Sequence, residues 1–212
     1  MVRKWIGYIG VGSLMCAALG CGILYTRQAR LQQEISDKVL RFHVLANSDS
    51  EADQNLKLAV RDAVGSFMQE KLVAVENLEE CELVVRQSLG EIEEAAAEII
   101  AENGYDYDVT AELEHTSFPV KNYGSYTFPA GDYEALRIVI GEGNGHNWWC
   151  VMYPNMCFSD SMYEVVDEEA GEKLRKVLTT EEYEKVLAEG DYQVRMKYFS
   201  WLNPYLEKLA EN

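Results

Sequence analysis

The hydrophobic pattern changes its period at Asn103-Gly104, and this change most constrains the fold. Before it, apolar residues recur at helical spacing in two stretches, 56–67 and 78–99, and the outer face of the second stretch is acidic. After it, residues 105–115 alternate in polarity, which is typical of a half-buried strand. The chain is therefore expected to contain both helices and strands, grouped in separate blocks.

Three shorter segments also predict strands. Lys38–Ala46 alternates in polarity, whereas Glu134–Ile140 and Asn147–Tyr153 are rich in apolar residues. The connection GEGNGH between the last two predicts a hairpin. Ser50 and Asp53 have the spacing of an N-terminal cap for the first helix. The order of elements predicts an α+β fold: an antiparallel-rich sheet with two long helices packed on one face.

The amino-terminal segment has no charged residue from Trp5 to Tyr25. A helix of this length crosses a hydrocarbon core of ~30 Å. We expect residues 1–30 to form a transmembrane signal anchor, with a cleaved signal peptide as the alternative. Residues 31–158 are then an extracytoplasmic signalling domain. Residues 159–212 are an acidic extension with helices and one further strand, predicted at Tyr192–Phe199.

The charge balance excludes several partners. The chain has 19 Lys and Arg against 36 Asp and Glu, and residues 1–30 hold four of the bases and no acid. A domain this negative is repelled by nucleic acids and by anionic lipid surfaces. Contact with a membrane is therefore expected only through the amino-terminal helix.

Residues 141–157, GEGNGHNWWCVMYPNMC, concentrate reactive side chains. The spacing of His146, Cys150 and Cys157 matches no structural zinc pattern, so neither a metal nor another cofactor is predicted. A Cys–His nucleophile is disfavoured, because Cys150 lies within a strand in an acidic chain, where a thiolate is not stabilised. A Cys/His-dependent hydrolase is the alternative function. It requires His146, Cys150 and His43 to meet in a cleft.

Cys150 and Cys157 are also candidates for a disulfide. The sequence Tyr153-Pro154-Asn155-Met156 favours a turn that would bring the two thiols together. A bridge closing so short a loop contributes roughly 2–3 kcal/mol. It requires export from the cytoplasm, and two buried thiols are the alternative. Cys81 is expected to be a small core residue.

Aromatic residues suggest a surface for a protein partner. Residues 116–134 contain five aromatics, two prolines and two glycines, and are predicted to form a long loop. Trp148 and Trp149 point to opposite faces of their strand, and we expect Trp148 in the core and Trp149 at the surface. The partner-binding residues predicted from this pattern are Tyr123, Tyr126, Phe128, Tyr133 and Trp149.

Two long motifs resemble the stage II sporulation protein R family. The first is RFHVLANSDSEADQNLKLAVRDAV (41–64), and the second is PVKNYGSYTFPAGDYEALRIVIGEGNGHNWWCVMYPNMCF (119–158). The apolar amino-terminal segment is similar to that family as well. The resemblance covers most of residues 38–158 and weakens from about residue 160.

This resemblance implies a signalling protein rather than an enzyme. Members are made in the forespore and exported to the space between the forespore and mother-cell membranes. There they activate a membrane-embedded processing peptidase of the mother-cell membrane, which matures pro-sigma-E. The resemblance supplies no catalytic residues and no small-molecule substrate.

Overall fold

The computed structural model describes residues 20–154, 156 and 168–187. Residues 20–36 form helix α1, which leads directly into the first strand. The elements that follow are β1 (Leu40–Leu45), α2 (Glu51–Leu72), α3 (Leu78–Glu102), β2 (Val109–Phe118), β3 (Lys121–Tyr123), β4 (Tyr126–Phe128), β5 (Gly131–Ile140), β6 (Asn147–Tyr153), α4 (Glu168–Val177) and α5 (Thr180–Leu187).

The main sheet is mixed and has the strand order β2-β5-β1-β6. Strand β1 runs parallel to β5 and antiparallel to β6, whereas β2 runs antiparallel to β5. The predicted hairpin between β5 and β6 is therefore wrong, because β1 lies between them. Residues 40–44 of β1 are all buried, as expected for a central strand that is covered on both faces.

Helices α2 and α3 pack together on one face of this sheet, as the sequence predicted. Ser50 caps α2 by accepting a hydrogen bond from the backbone N–H of Asp53 at 3.1 Å, and Asn77 caps α3 in the same way. The first core lies between these helices and the inner sides of the strands. It contains, among others, Phe42, Val44, Val60, Val64, Ile92, Ala96, Leu136 and Ile138.

The opposite face of the sheet carries a second core. The end of α1, the two-stranded sheet of β3 and β4, and helices α4 and α5 all contribute to it. Its buried residues include Ile35, Val39, Phe118, Phe128, Tyr133, Val151, Leu174 and Val186. The segment 116–134 is thus not one long loop, because β2 extends to Phe118 and β3 and β4 follow.

The predicted fold class needs two corrections. The sheet is mixed rather than simply antiparallel-rich, because its two central strands are parallel. In addition, no helix in the described part of the chain is long and apolar enough to cross a membrane, so the transmembrane anchor is not supported. Residues 1–19 of that predicted segment, and the strand predicted at 192–199, lie outside the described residues.

Candidate functional site

The five aromatic residues predicted to bind a partner lie in one cluster, within the second core. Phe128 and Tyr133 have no exposed surface, and Tyr126 is 9% exposed. These three residues therefore pack the interior, because α4 and α5 cover the strands that carry them. The hydroxyl groups of Tyr126 and Tyr183 are 3.1 Å apart. Only Tyr123 and Trp149 remain half-buried at the edge of the cluster.

Arg41 lies at the centre of this cluster and is fully buried. Its guanidinium carbon is between 4.5 and 5.7 Å from the ring centroids of Phe118, Tyr133, Phe128 and Tyr123. Nε donates a hydrogen bond to the Cys150 carbonyl at 3.0 Å, and Nη2 donates to the Tyr123 hydroxyl at 2.9 Å. Nη1 has no hydrogen-bond partner among the described residues. Burial lowers the pKa of Arg41 because it disfavours the charged form.

His43 follows on the same face of β1 and is 3% exposed. Its ring stacks on Trp149, and its ring centroid is 5.2 Å from that of Phe118. In the part of the chain that the structure describes, neither ring nitrogen has a hydrogen-bond partner. Burial, and then the charges of Arg137 and Arg41, lower the pKa of His43 to about 4. The imidazole is consequently uncharged at neutral pH.

Lys121, on β3, brings a second cation to the edge of the cluster. Its Nζ is 5.7 Å from the ring centroid of Trp149, and the side chain is half-buried. Burial, followed by the charge of Arg41, lowers the pKa of Lys121. The sequence pattern predicted none of the three basic residues at this site. The one available signal was a pair of basic side chains, Arg41 and His43, on the same side of a strongly apolar strand.

The residues of the alternative hydrolase do not meet. Cys150 is paired with Phe42 in the β1–β6 ladder and packs into the first core. His43 is on the opposite face of the sheet, beneath Trp149. His146 is exposed at the start of β6, where its ring Nδ1 contacts Asp49. Among the described residues, no three His, Cys, Asp or Glu side chains are grouped so that they could hold a metal ion.

Cys150 is disulfide-bonded in the structure. Its predicted partner, Cys157, lies outside the described residues, so the pairing of these two cysteines stays a prediction. Cys81 is a free, fully buried thiol, as expected. Burial, and secondarily the charge of Glu82, raise the pKa of Cys81 to about 12, so it is a poor nucleophile.

The two motifs, residues 41–64 and 119–158, are in contact where β1 ends and β6 begins. The loop between β5 and β6 crosses the end of β1, where the backbone N–H of Gly145 donates to the Ala46 carbonyl at 2.9 Å. The backbone N–H of His146 donates to Asp49 at 2.6 Å, and Lys57 Nζ donates to the His146 carbonyl at 3.0 Å. The motifs thus form one structural unit, which positions β6 and its two tryptophans against β1.

The sequence of a known protein family matches the region that contains both motifs. The sequence profile of the family described as stage II sporulation protein R matches residues 36–163, which include strands β1 to β6 and helices α2 and α3. The chain is 39% identical over 158 residues to Stage II sporulation protein R of Bacillus subtilis (strain 168), covering 74% of this chain and 70% of that protein. No solved structure matches. The chain belongs to the stage II sporulation protein R family.

Proposed function

We propose that this protein is an exported sporulation signal that activates a membrane-embedded processing peptidase in the mother-cell membrane and so triggers maturation of pro-sigma-E. Membership of the stage II sporulation protein R family supports the role in sporulation. The activating role follows from what the resemblance of the two motifs implies. The proposed site of action is the space between the forespore and mother-cell membranes.

The disulfide at Cys150 is the observation that carries the exported location. Disulfides persist in oxidising compartments and are rare in the cytoplasm, where thiols are kept reduced. Intact-mass analysis with alkylation, before and after reduction, tests this point on the exported protein. We expect a Cys150–Cys157 bridge and a reduced Cys81. Free thiols at both 150 and 157 would contradict the exported, oxidised form.

The geometry of the His and Cys residues in the two motifs supports binding rather than catalysis. His43 is buried and stacked, so it has no access to a substrate. A disulfide-bonded Cys150 has no thiolate to act as a nucleophile. His146 is held by Asp49 at the surface, on a different part of the molecule. These positions disfavour the Cys/His-dependent hydrolase.

Reconstitution in a non-sporulating host tests the proposed function. The peptidase and pro-sigma-E are co-expressed with or without this protein, and processing is measured by immunoblotting of the precursor and mature forms. One copy of residues 31–212 is exported by a foreign cleavable signal sequence, and a second copy is kept in the cytoplasm. We expect processing only with the exported copy.

A His146→Ala variant separates the two candidate functions. It removes the side chain that a hydrolase would need but leaves the aromatic cluster intact, so we expect nearly normal processing. Loss of processing in a fully folded His146→Ala protein would favour an enzyme. Equal processing with and without the exported protein would rule out the activator role.

A further inference from the structure

Two cations on the second face of the sheet have no acidic partner among the residues that the structure describes. Arg41 and Lys121 form no ion pair with any carboxylate of residues 20–154, 156 and 168–187, although the chain has a net charge of −17. Removing a charge from water costs several kcal/mol, so buried charges are normally paired. Within the described residues, Arg41 is therefore a buried charge without a compensating carboxylate.

Several other cations of the domain do have such partners, although Lys57, which is 5% exposed, also forms no ion pair with a carboxylate of the described residues. Lys38 binds the buried Glu182 at 2.7 Å, and Lys71 binds Glu91 at 2.6 Å. Arg137, on the same face of the sheet, lies 3.4 Å from carboxylates of Glu112 and Glu114. Acidic residues are thus placed beside several cations, but in the described part of the chain none forms an ion pair with Arg41 or Lys121.

Arg41 and Lys121 are connected by a series of contacting aromatic rings. Lys121 lies over the ring of Trp149, and Trp149 packs edge-on against Phe118 with centroids 4.6 Å apart. The Phe118 ring in turn contacts the Arg41 guanidinium, 4.5 Å from its centroid. Lys121 and Trp149 are half-buried, so they form the accessible end of this path, whereas Arg41 is its buried end.

We propose that Lys121 and Trp149, with Arg41 beneath them, form the docking surface for an acidic segment of the peptidase. A carboxylate of the partner binds the Lys121 ammonium and lies in the field of Arg41, while a neighbouring apolar side chain of the partner packs on Trp149. This inference rests on the proposed function and names the chemistry that the partner must present.

The surrounding charge explains why such a surface would be specific. An acidic segment is repelled by most of this negatively charged domain and attracted only where cations are unpaired. Half-buried tryptophans are frequent centres of binding energy at interfaces. A partly desolvated lysine interacts with a carboxylate more strongly than a fully hydrated one, because the effective dielectric constant is lower.

Charge substitutions at Lys121 test the inference in the reconstituted system. Lys121→Glu should reduce processing at least about tenfold, because it places a like charge against the partner. Lys121→Arg keeps the charge and should process normally. Lys71→Glu, on the helical face of the domain, is the control for the same change of charge and should also process normally. Absence of processing with the wild-type protein would instead be a failure of the proposed function.

Second-site changes identify the source of the carboxylate. Acidic residues in the extracytoplasmic loops of the peptidase are replaced by lysine one at a time, and one of them should restore processing by Lys121→Glu. The thermal midpoint of Lys121→Glu should equal that of the wild type. The inference is overturned if Lys121→Glu processes normally. It is also overturned if the variant unfolds at lower temperature and no partner substitution restores processing, since the carboxylate then belongs to this chain.

Discussion

His43 and Trp149 are stacked face to face, with ring centroids 4.9 Å apart and ring planes 8° from parallel. The two residues are direct neighbours across the β1–β6 ladder. Trp149 thereby covers an imidazole whose two nitrogens form no hydrogen bond with any described residue. Trp149, which was predicted to bind a partner at the surface, therefore also shields His43 from water. Its removal should affect both stability and binding.

The low pKa of His43 predicts a stability that depends on pH. The folded pKa of about 4 is below the ordinary value of 6.5, so the unfolded chain binds this proton first as the pH falls. Stability should therefore decrease between pH 6.5 and 4. At pH 5.5 this titration should lower the free energy of unfolding by about 1–2 kcal/mol relative to neutral pH. Replacing His43 with Phe keeps a stacked ring and removes the titration.

Urea unfolding of the wild type and His43→Phe at pH 7.5 and pH 5.5 measures this effect. The variant should be the more stable at pH 7.5, because it removes two buried nitrogens that have no partner among the described residues. Its advantage should grow by about 1–2 kcal/mol at pH 5.5. An equal difference at the two pH values would contradict the lowered pKa.

The cover formed by Trp149 predicts a change in the His43 pKa. Trp149→Ala admits water to the imidazole, which relieves the penalty for charging it, so the pKa should rise from about 4 toward 6.5. NMR titration of the imidazole protons measures the shift. Trp148→Ala is the matched control. Its side chain packs on Phe42 on the other face of the sheet, so the His43 pKa should stay low. Similar shifts in both variants would indicate general loosening.

The crossing of the two motifs predicts that Gly145 cannot be replaced. A Cβ at this position would lie 2.2 Å from the backbone oxygen of Ser48, so the loop would have to move away from the end of β1. Gly145→Ala should lower the free energy of unfolding by about 1–3 kcal/mol. Gly90→Ala, at an open position within α3, is the control and should raise it by about 0.5–1 kcal/mol. Chemical denaturation of both variants should give opposite signs.

The ion pair between Lys38 and the buried Glu182 should stabilise the packing of α5 against the rest of the domain. Glu182 is 1% exposed and accepts hydrogen bonds from Lys38 Nζ at 2.7 and 2.8 Å. Glu182→Gln should cost about 1–2 kcal/mol of local stability, since Lys38 is only partly buried. Amide exchange in Thr180–Leu187 should then be about tenfold faster, with α2 unchanged.

Glu181→Gln is the control for this measurement. Its ion pair with Arg27 is exposed on both sides, so exchange in α5 should change less than about twofold. Equal acceleration in the two variants would show that helix charge, rather than the buried ion pair, determines the stability of α5.

The local elements of the fold were predictable from the sequence. Helix α2 begins at the predicted cap, and α3 covers the second apolar repeat, because both signals depend on residues a few positions apart. The alternation in β1 correctly predicted which side chains share a face. The short strands β3 and β4 were missed, since three residues are too few to establish a period.

The order of the strands was not predictable in the same way. Strands β5 and β6 are consecutive in the sequence, which suggested a hairpin, but β1 pairs with both. Its register with β5 joins residues about 94 positions apart, such as Val44 and Ile138. The local sequence pattern contains no information on such pairings. They are decided by the free energy that is gained when β1 is buried on both faces.

The candidate site was also only partly predictable from the sequence. The sequence by itself determined that the aromatic residues of 119–149 belong to one region and that Trp148 and Trp149 face opposite ways. Only the tertiary structure decided that Phe128 and Tyr133 are interior, and that Arg41 is surrounded by rings from other strands. The physical reason is that a side chain is buried by whatever covers it. Here the covering groups are the helices α4 and α5 and strands far from Arg41 in the chain.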